Sequence, residues 1–290
     1  MKDVTIAAIS LRSRPVSPDE NIARHEEWVK KAREKGAEYC FFPEMSVTGF
    51  CFNYPLYFAA SEPEYGESTL KMIEIAKKYD AVIGFGLATR DKRDLVYNSY
   101  IFVSPSGYLG KYSKTHIPTL EYPIETAAND FAVVDLGGVR AGVNICFDNW
   151  FCESGRASYL NGAQIILAPF YMSWGDATIK TNPLKAFADW KKLAMINFPA
   201  VAWQNGVYHI TINSCGGVNE RGVEYDGPSV VFIFNPQGEL EAESDPNITD
   251  EQMVVHKIEA EKVHRRRSEE LFHPKYRRPE IYQALTQLYR

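Results

Sequence analysis

Gly142-Val143-Asn144-Ile145-Cys146-Phe147-Asp148-Asn149-Trp150-Phe151 is the stretch on which the reading of this chain turns. Val139, Ala141, Val143 and Ile145 alternate as the buried face of a strand does. From Asp148 to Gly162 a polar, then amphipathic run reads as a helix. Cys146 falls at the junction, where backbone amides of the following turn can face a developing oxyanion. A helix N-terminus beside it would also lower the thiol pKa. Most free cysteines are small core residues, so two further stretches decide between nucleophile and filler.

Working outward, the 290 residues carry 45% hydrophobic and 24% charged side chains, enough for a sizeable core. A net charge of -5 gives no electrostatic reason to expect nucleic acid or an anionic membrane. Cys40, Cys51, Cys146, Cys152 and Cys215 are an odd set with no C-x-x-C pair, which suits reduced thiols better than disulfides or zinc. The N-terminus enters a strand at once without an apolar leader, and no run reaches membrane-spanning length. The expectation is a cytoplasmic, soluble protein.

Along the chain, a strand from Val4 to Ser10, a helix opening at Ser17-Pro18 and running to about Lys35, and a strand from Glu38 to Phe42 make a β-α-β unit. A helix over Ser68–Tyr79 and a strand over Ala81–Thr89, with glycines at 84 and 86, follow. Tyr97–Val103 and Tyr108–Tyr112 read as a hairpin about Pro105-Ser106-Gly107. Beyond Cys146 come a strand at Ala163–Ala168, a helix at Pro183–Asn197 and a strand at Tyr208–Asn213. A second hairpin closes at Asn235-Pro236-Gln237-Gly238, then a strand at Gln252–Ile258 and a short Pro279–Leu288 helix end the chain. Two βαβ-like halves, each with a hairpin, predict two sheets with helices outside, in one α/β domain over 1–290.

Glu44 ends the second strand, among Phe42, Pro43 and Met45. Burial there would raise its pKa toward that of a general base. Lys114 lies just past the first hairpin, in Tyr112-Ser113-Lys114-Thr115-His116-Ile117-Pro118. In parallel α/β sheets, sites gather at the carboxyl ends of strands. A thiol, a carboxylate and an ammonium there form an acyl-transfer set of nucleophile, proton carrier and oxyanion stabiliser.

Phe-Pro-Glu44-x-x-x-Thr-Gly-Phe, Tyr-x-Lys114-x-His-Ile-Pro and Asn-Ile-Cys146-Phe-Asp-x-Trp-Phe-x-Glu together resemble the three signatures of the nitrilase superfamily of carbon–nitrogen hydrolases. The likeness covers nearly the whole chain, including Tyr108-Leu109-Gly110-Lys111, Asn161-Gly162-Ala163-Gln164 and Asn235-Pro236-Gln237-Gly238. It implies a four-layer αββα sandwich and a Glu44-Lys114-Cys146 triad, with Cys146 as nucleophile and Glu44 as base. Lys114 and the backbone amide of Phe147 would hold the tetrahedral intermediate, and neither metal nor organic cofactor would be needed.

The resemblance also implies a second glutamate that positions substrate. Glu125, eleven residues after Lys114, has the spacing of carbamoyl-hydrolysing members and is preferred; Glu121 lies nearer the nitrilase spacing. The loop after Glu125 is shorter than those relatives carry. Asp148, Trp150, Tyr54, Tyr171 and Trp174 are further expected pocket residues, Asn213 a candidate site-facing amide, and Asn205 a helix cap. His116 is expected to satisfy local backbone, Cys152 to pack, and His264–Arg267 to be solvated or intersubunit. Relatives pair through the helix after the nucleophile and the C-terminal tail, so residues about 149–161 and 260–290 are expected contacts of a homodimer or larger assembly. The implied activity is hydrolysis of an N-carbamoyl compound or small amide through a thioester. Its alternatives are a nitrile substrate, a transferase of the same thioester, and a non-catalytic scaffold.

Overall fold

The computed structural model describes residues 1–172, 183–218 and 224–287. β1 (Val4–Ser10), α1 (Pro18–Glu34) and β2 (Tyr39–Phe41) form the expected β-α-β unit, with β1 and β2 parallel. α2 (Tyr54–Ala60) and α3 (Glu67–Tyr79) lead to β3 (Val82–Arg90), parallel to β2. The hairpin of β4 (Val96–Ser104) and β5 (Gly107–Ser113) closes this half. The second half repeats the scheme. β6 (Val133–Asp135) pairs with β7 (Arg140–Val143), and α4 (Cys152–Leu160), β8 (Ile165–Phe170), α5 (Pro183–Asn205) and β9 (Tyr208–Asn213) follow. A small ribbon of β10 (Gly216–Val218) and β11 (Glu224–Asp226) precedes the hairpin of β12 (Val231–Phe234) and β13 (Leu240–Glu243). β14 (Gln252–Ile258) returns to the first sheet beside β1, and α6 (Ala260–Ser268) follows it.

The strands order as β14-β1-β2-β3-β4-β5 in one sheet and β13-β12-β9-β8-β7-β6 in the other. The two-residue period of a strand makes the layers. Ile6 and Ala8 of β1 face the second sheet, packed with Ile165, Leu167, Val231 and Ile233, while Ala7 and Ile9 face Val29 of α1 and Met72 and Ala76 of α3. On the far side, Phe232 and Phe234 meet Trp190, Ala194, Phe198 and Ala202 of α5. This is the expected αββα sandwich. No described helix is long and apolar enough to cross a membrane.

Several elements depart from expectation. α5 runs past Asn197 and through Pro199, because Trp190, Ala194, Phe198 and Ala202 recur every four residues and stay anchored on the sheet. The tail forms short 3₁₀ turns at Pro279–Ile281 and Gln283–Thr286 instead of a helix. The basic run lies on α6, and Arg266 is buried rather than solvated. Arg266 Nε donates to the Trp203 carbonyl and Arg267 Nε to that of Gly206, so two guanidinium groups cap the C-terminal end of α5. Asn205 ends that helix and donates to Val201 O, and Gly206 takes the left-handed turn (φ 58°).

Candidate active site

Each half of the fold delivers reactive groups just past strand ends. Glu44 stands three residues beyond β2, Lys114 directly after β5, Cys146 three residues beyond β7, and Tyr171 directly after β8. They converge on the Glu44 carboxylate. Its Oε1 accepts from Lys114 Nζ at 2.9 Å and from Asn98 Nδ2 at 2.8 Å, and its Oε2 accepts from the Tyr171 backbone N–H at 2.7 Å. The Cys146 thiol is buried close enough to the same carboxylate for its charge to act on it. Glu44 and Lys114 are buried, and these donors offset the cost of taking a carboxylate out of water.

Two residues of the site sit in left-handed backbone that a side chain disfavours, Met45 (φ 52°) and Cys146 (φ 45°). Gly86 explains the first. A Cβ there would fall 2.1 Å from Met45 N and 2.8 Å from the Glu44 carbonyl carbon, so the loop carrying Glu44 lies flat on β3. At Cys146 the chain enters a five-residue 3₁₀ turn (Cys146–Trp150), and α4 starts only at Cys152. Asn149 Nδ2 donates to the Asn144 and Cys146 carbonyls and ties the turn to the end of its strand.

This corrects the expectation of a thiol pKa lowered by a helix. One turn of 3₁₀ backbone brings little dipole. Burial, reinforced by the Glu44 charge, outweighs the nearby Lys114 ammonium and pushes the thiol well up. Cys146 therefore rests as a neutral thiol beside a carboxylate able to take its proton. For Lys114, burial works downward, but the charges of Glu44, Cys146, Glu121 and Glu125 outweigh it and hold the ammonium well above its ordinary value.

Glu121 and Glu125 lie one helical turn apart, with Glu125 N donating to Glu121 O at 2.9 Å. Glu121, not the preferred Glu125, touches the lysine, its Oε2 accepting from Lys114 Nζ at 2.5 Å. Glu125 Oε1 accepts from the Tyr57 hydroxyl at 2.8 Å. Glu125 Oε2 is buried and has no hydrogen-bond partner among the described residues. Two buried carboxyls this close disfavour double ionisation, so the pair keeps one proton between them. Burial and the Glu125 charge push Glu121 up to about 9, against the pull of Lys114, and burial raises Glu125 as well.

That shared proton sets a pH dependence of stability. Glu121 binds its proton up to about pH 9 when folded and to its ordinary 4.5 when unfolded, so its contribution declines as pH rises between those values. His25 and His209 are buried and neutral, lowered by burial to about 4 and about 3, and lose stability as pH falls below 6.5. The two effects oppose below 6.5, and above it the Glu121–Glu125 pair acts without them. The free energy of unfolding is expected to fall between pH 6.5 and 9, by about 1 kcal/mol per pH unit. Glu121→Gln should flatten that slope. Denaturant titrations showing level or rising stability over this range would contradict it.

The other expected residues divide. Asp148 is buried and binds from five directions. Its Oδ1 accepts from Thr115 Oγ1 (2.8 Å) and His116 N (2.9 Å) and faces His116 Nδ1 (2.8 Å). Its Oδ2 accepts from Tyr112 OH (2.8 Å) and Ile145 N (3.0 Å). It locks the lysine loop to the cysteine turn, and His116 serves that lock, stacked on Phe151, instead of local backbone. Phe147 is half-buried, edge-on to Phe151, and Trp150 stacks on Phe198. Tyr171 brings its ring to Phe50.

Tyr54 is exposed on the outer face of α2 against Phe58; Tyr57, one turn on, is the ring that reaches the site. Asn213 does not face the site, since its amide donates to the carbonyls of Met172, Ser214 and Pro228 and clamps the ends of β8 and β9. Cys152 is exposed beside Glu153, not packed. Trp174 lies outside the described residues.

Sequence reasoning passed over Asn98 and the close backbone approach at Gly86. Asn98 is a strand-averse residue inside an apolar strand, and Gly86 an interior strand glycine that marks a close backbone approach. Both signals stood in the sequence.

With this geometry in place, comparison with known proteins is decisive. The model of the carbon-nitrogen hydrolase family matches residues 5–267. The chain belongs to the carbon–nitrogen hydrolases. It is 31% identical over 271 residues to a protein named nitrilase from Pyrococcus abyssi, covering 92% of this chain and 94% of that one. It is 27% identical over 299 residues to N-carbamoylputrescine amidase of Oryza sativa, covering 98% and 95%. In three dimensions it superposes on a carbon-nitrogen hydrolase from Helicobacter pylori G27 with a TM-score of 0.84, at 20% identity and 99% coverage of both chains. The hydrolase thus has the nitrilase-superfamily fold and acts on carbon–nitrogen bonds.

Proposed function

We propose that the hydrolase cleaves an N-carbamoyl amine or a small amide through a thioester on Cys146. The observation that carries this is the buried carboxylate of Glu44, hydrogen-bonded to the Lys114 ammonium and close enough to the Cys146 thiol for its charge to act there. Glu44 takes the thiol proton as sulfur attacks the carbonyl carbon. The oxyanion that forms is held by Lys114 Nζ and the Phe147 amide. Glu44 then passes its proton to the leaving nitrogen, and ammonia departs. Water, deprotonated by Glu44, attacks the thioester; the tetrahedral intermediate collapses, and the acid or carbamate leaves as the thiol is re-formed. Glu121 and Glu125 position Lys114 and the substrate.

A carbamoyl substrate is supported by the place of Glu125 eleven residues beyond Lys114 and by the relative named N-carbamoylputrescine amidase. A nitrile is the second reading. It is favoured by the direct contact of Glu121 with Lys114 and by the relative named nitrilase.

The test is ammonia release from N-carbamoylputrescine, propionamide and propionitrile by the wild type and Cys146→Ala. Turnover of the first two, abolished in the variant while its melting temperature holds, is the expected result. Persistent turnover in Cys146→Ala would end the thioester reading. Turnover of the nitrile alone would select the second substrate. In the same assay Glu125→Gln should lose most of kcat; if it does not and Glu121→Gln does, the positioning role passes to Glu121.

A further inference from the structure

β2 stops at Phe41, but β3 runs on to Arg90, which leaves the β2 side of β3 without a strand partner along its second half, while β4 pairs with its other side throughout. The loop after Glu44 takes that place with side chains. The N–H of Gly86 donates to Ser46 Oγ at 3.1 Å and the N–H of Ala88 to Thr48 Oγ1 at 2.9 Å, while Val47 N returns a bond to Gly86 O at 2.9 Å. Two hydroxyls thus supply the acceptors a strand backbone would have offered.

The Ser46 hydroxyl also needs an acceptor for its own proton, and it is buried. Helix α1 provides it. His25 Nδ1 lies 2.7 Å from the Asn21 carbonyl, which can only accept, so Nδ1 carries the ring proton. Nε2, 3.0 Å from Ser46 Oγ, is then the lone-pair nitrogen and accepts from the hydroxyl. One turn earlier, Asn21 Nδ2 donates to Val47 O at 2.8 Å.

We propose that His25 and Ser46 are positioning residues for Glu44: through them α1 holds the left-handed loop of the general base against β3. The inference rests on the reading of Glu44 as base. The ring suits the task because it stays neutral. It is fully buried on Phe42, its centroid 4.2 Å away. Burial pushes it down to about 4, assisted by the Arg24 charge on its own helix and opposed by the Asn21 bond. The contacts it makes on the loop, β2 and β3 side are Ser46, Phe42 and, through Ser46, the backbone of Gly86, none of them charged. A protonated ring would be a donor at both nitrogens and would leave the Ser46 proton without its acceptor.

The test compares His25→Leu, Ser46→Ala and their double variant with His25→Gln, whose amide oxygen can still accept from Ser46. Turnover of N-carbamoylputrescine and propionamide, melting temperature and deuterium uptake over residues 44–48 are measured together. Each of the first two variants should lose about tenfold or more in kcat with KM nearly unchanged. The double variant should be no worse than the poorer single, since the two act as one unit, and His25→Gln should keep most of kcat. Uptake over 44–48 should rise in the Leu and Ala variants and stay low in His25→Gln.

Losses that multiply in the double variant, unchanged uptake, or a lowered melting temperature with kcat intact would each overturn the proposal. Ser46→Ala removes a single oxygen and carries the test where His25→Leu does not fold. Glu44→Gln separates the two readings. If it turns over normally, the base assignment fails whatever the uptake shows; if it is inactive while Ser46→Ala and His25→Leu are fully active, only the clamp fails.

Discussion

Gly86→Ala is expected to lower kcat by about 10²-fold or more, a larger effect than its single methyl suggests. All three atoms the new Cβ meets are backbone: Met45 N at 2.1 Å, the Glu44 carbonyl carbon at 2.8 Å and Met45 Cα at 2.9 Å. None can rotate away, so the loop must rise from β3, and the Glu44 carboxylate goes with it. That carboxylate holds Lys114, Asn98 and Tyr171 in one arrangement beside the thiol, so its displacement breaks several contacts at once. Gly84→Ala, two residues earlier on the same strand, is the control. Its Cβ would meet the rings of Tyr100, Phe102 and Phe41 at 2.8–3.0 Å, an overpacked core and not a displaced site. It should lower the melting temperature, with kcat per folded molecule kept. Ammonia-release kinetics beside thermal melts decide the matter. A Gly86→Ala enzyme with normal kcat would show that the loop accommodates the methyl without moving Glu44.

What was legible in the sequence follows from what is local. Apolar alternation at Val139–Ile145 and the β-α-β opening are short-range signals, so the positions of Cys146 and Glu44 past strand ends could be read directly. Asn53-Tyr54-Pro55 is an equally local helix start, with Asn53 Oδ1 accepting from Leu56 N and proline in the first turn. α6 left almost no apolar period to find, because its buried face is Val263 and Arg266, and an arginine capping another helix does not look like core. The partners of Glu44 were hidden for another reason. Asn98 and Tyr171 lie 54 and 127 residues away from it, and only the closing of the sandwich brings them together. The thiol's raised pKa belongs to the same class: it depends on burial and on Glu44, neither of which the cysteine's own neighbours reveal.

The same long-range logic makes Asp148→Asn a damaging conservative change outside Glu44, Lys114 and Cys146. The substitution keeps the shape and replaces one acceptor oxygen with an NH₂ group. With the NH₂ at the Oδ1 position it would face the His116 N–H at 2.9 Å; at the Oδ2 position it would face the Ile145 N–H at 3.0 Å. Both are backbone donors that cannot reverse, so either orientation sets donor against donor in a buried site. Loss of a charge-assisted bond together with an unsatisfied buried N–H should cost about 3 kcal/mol or more. Tyr112→Phe removes one hydroxyl contact and leaves the four others, so it should cost about 1–2 kcal/mol. The cost to turnover should exceed the cost to stability in consequence. Asp148 is the joint between His116, two residues past Lys114, and Ile145, one residue before Cys146. A loosened joint lets Cys146 and Lys114 drift apart, and kcat should fall by about 10²-fold. Urea midpoints and kcat for the two variants measure both effects, and an Asp148→Asn enzyme with wild-type midpoint and turnover would show that the lysine loop and the cysteine turn hold their places without it.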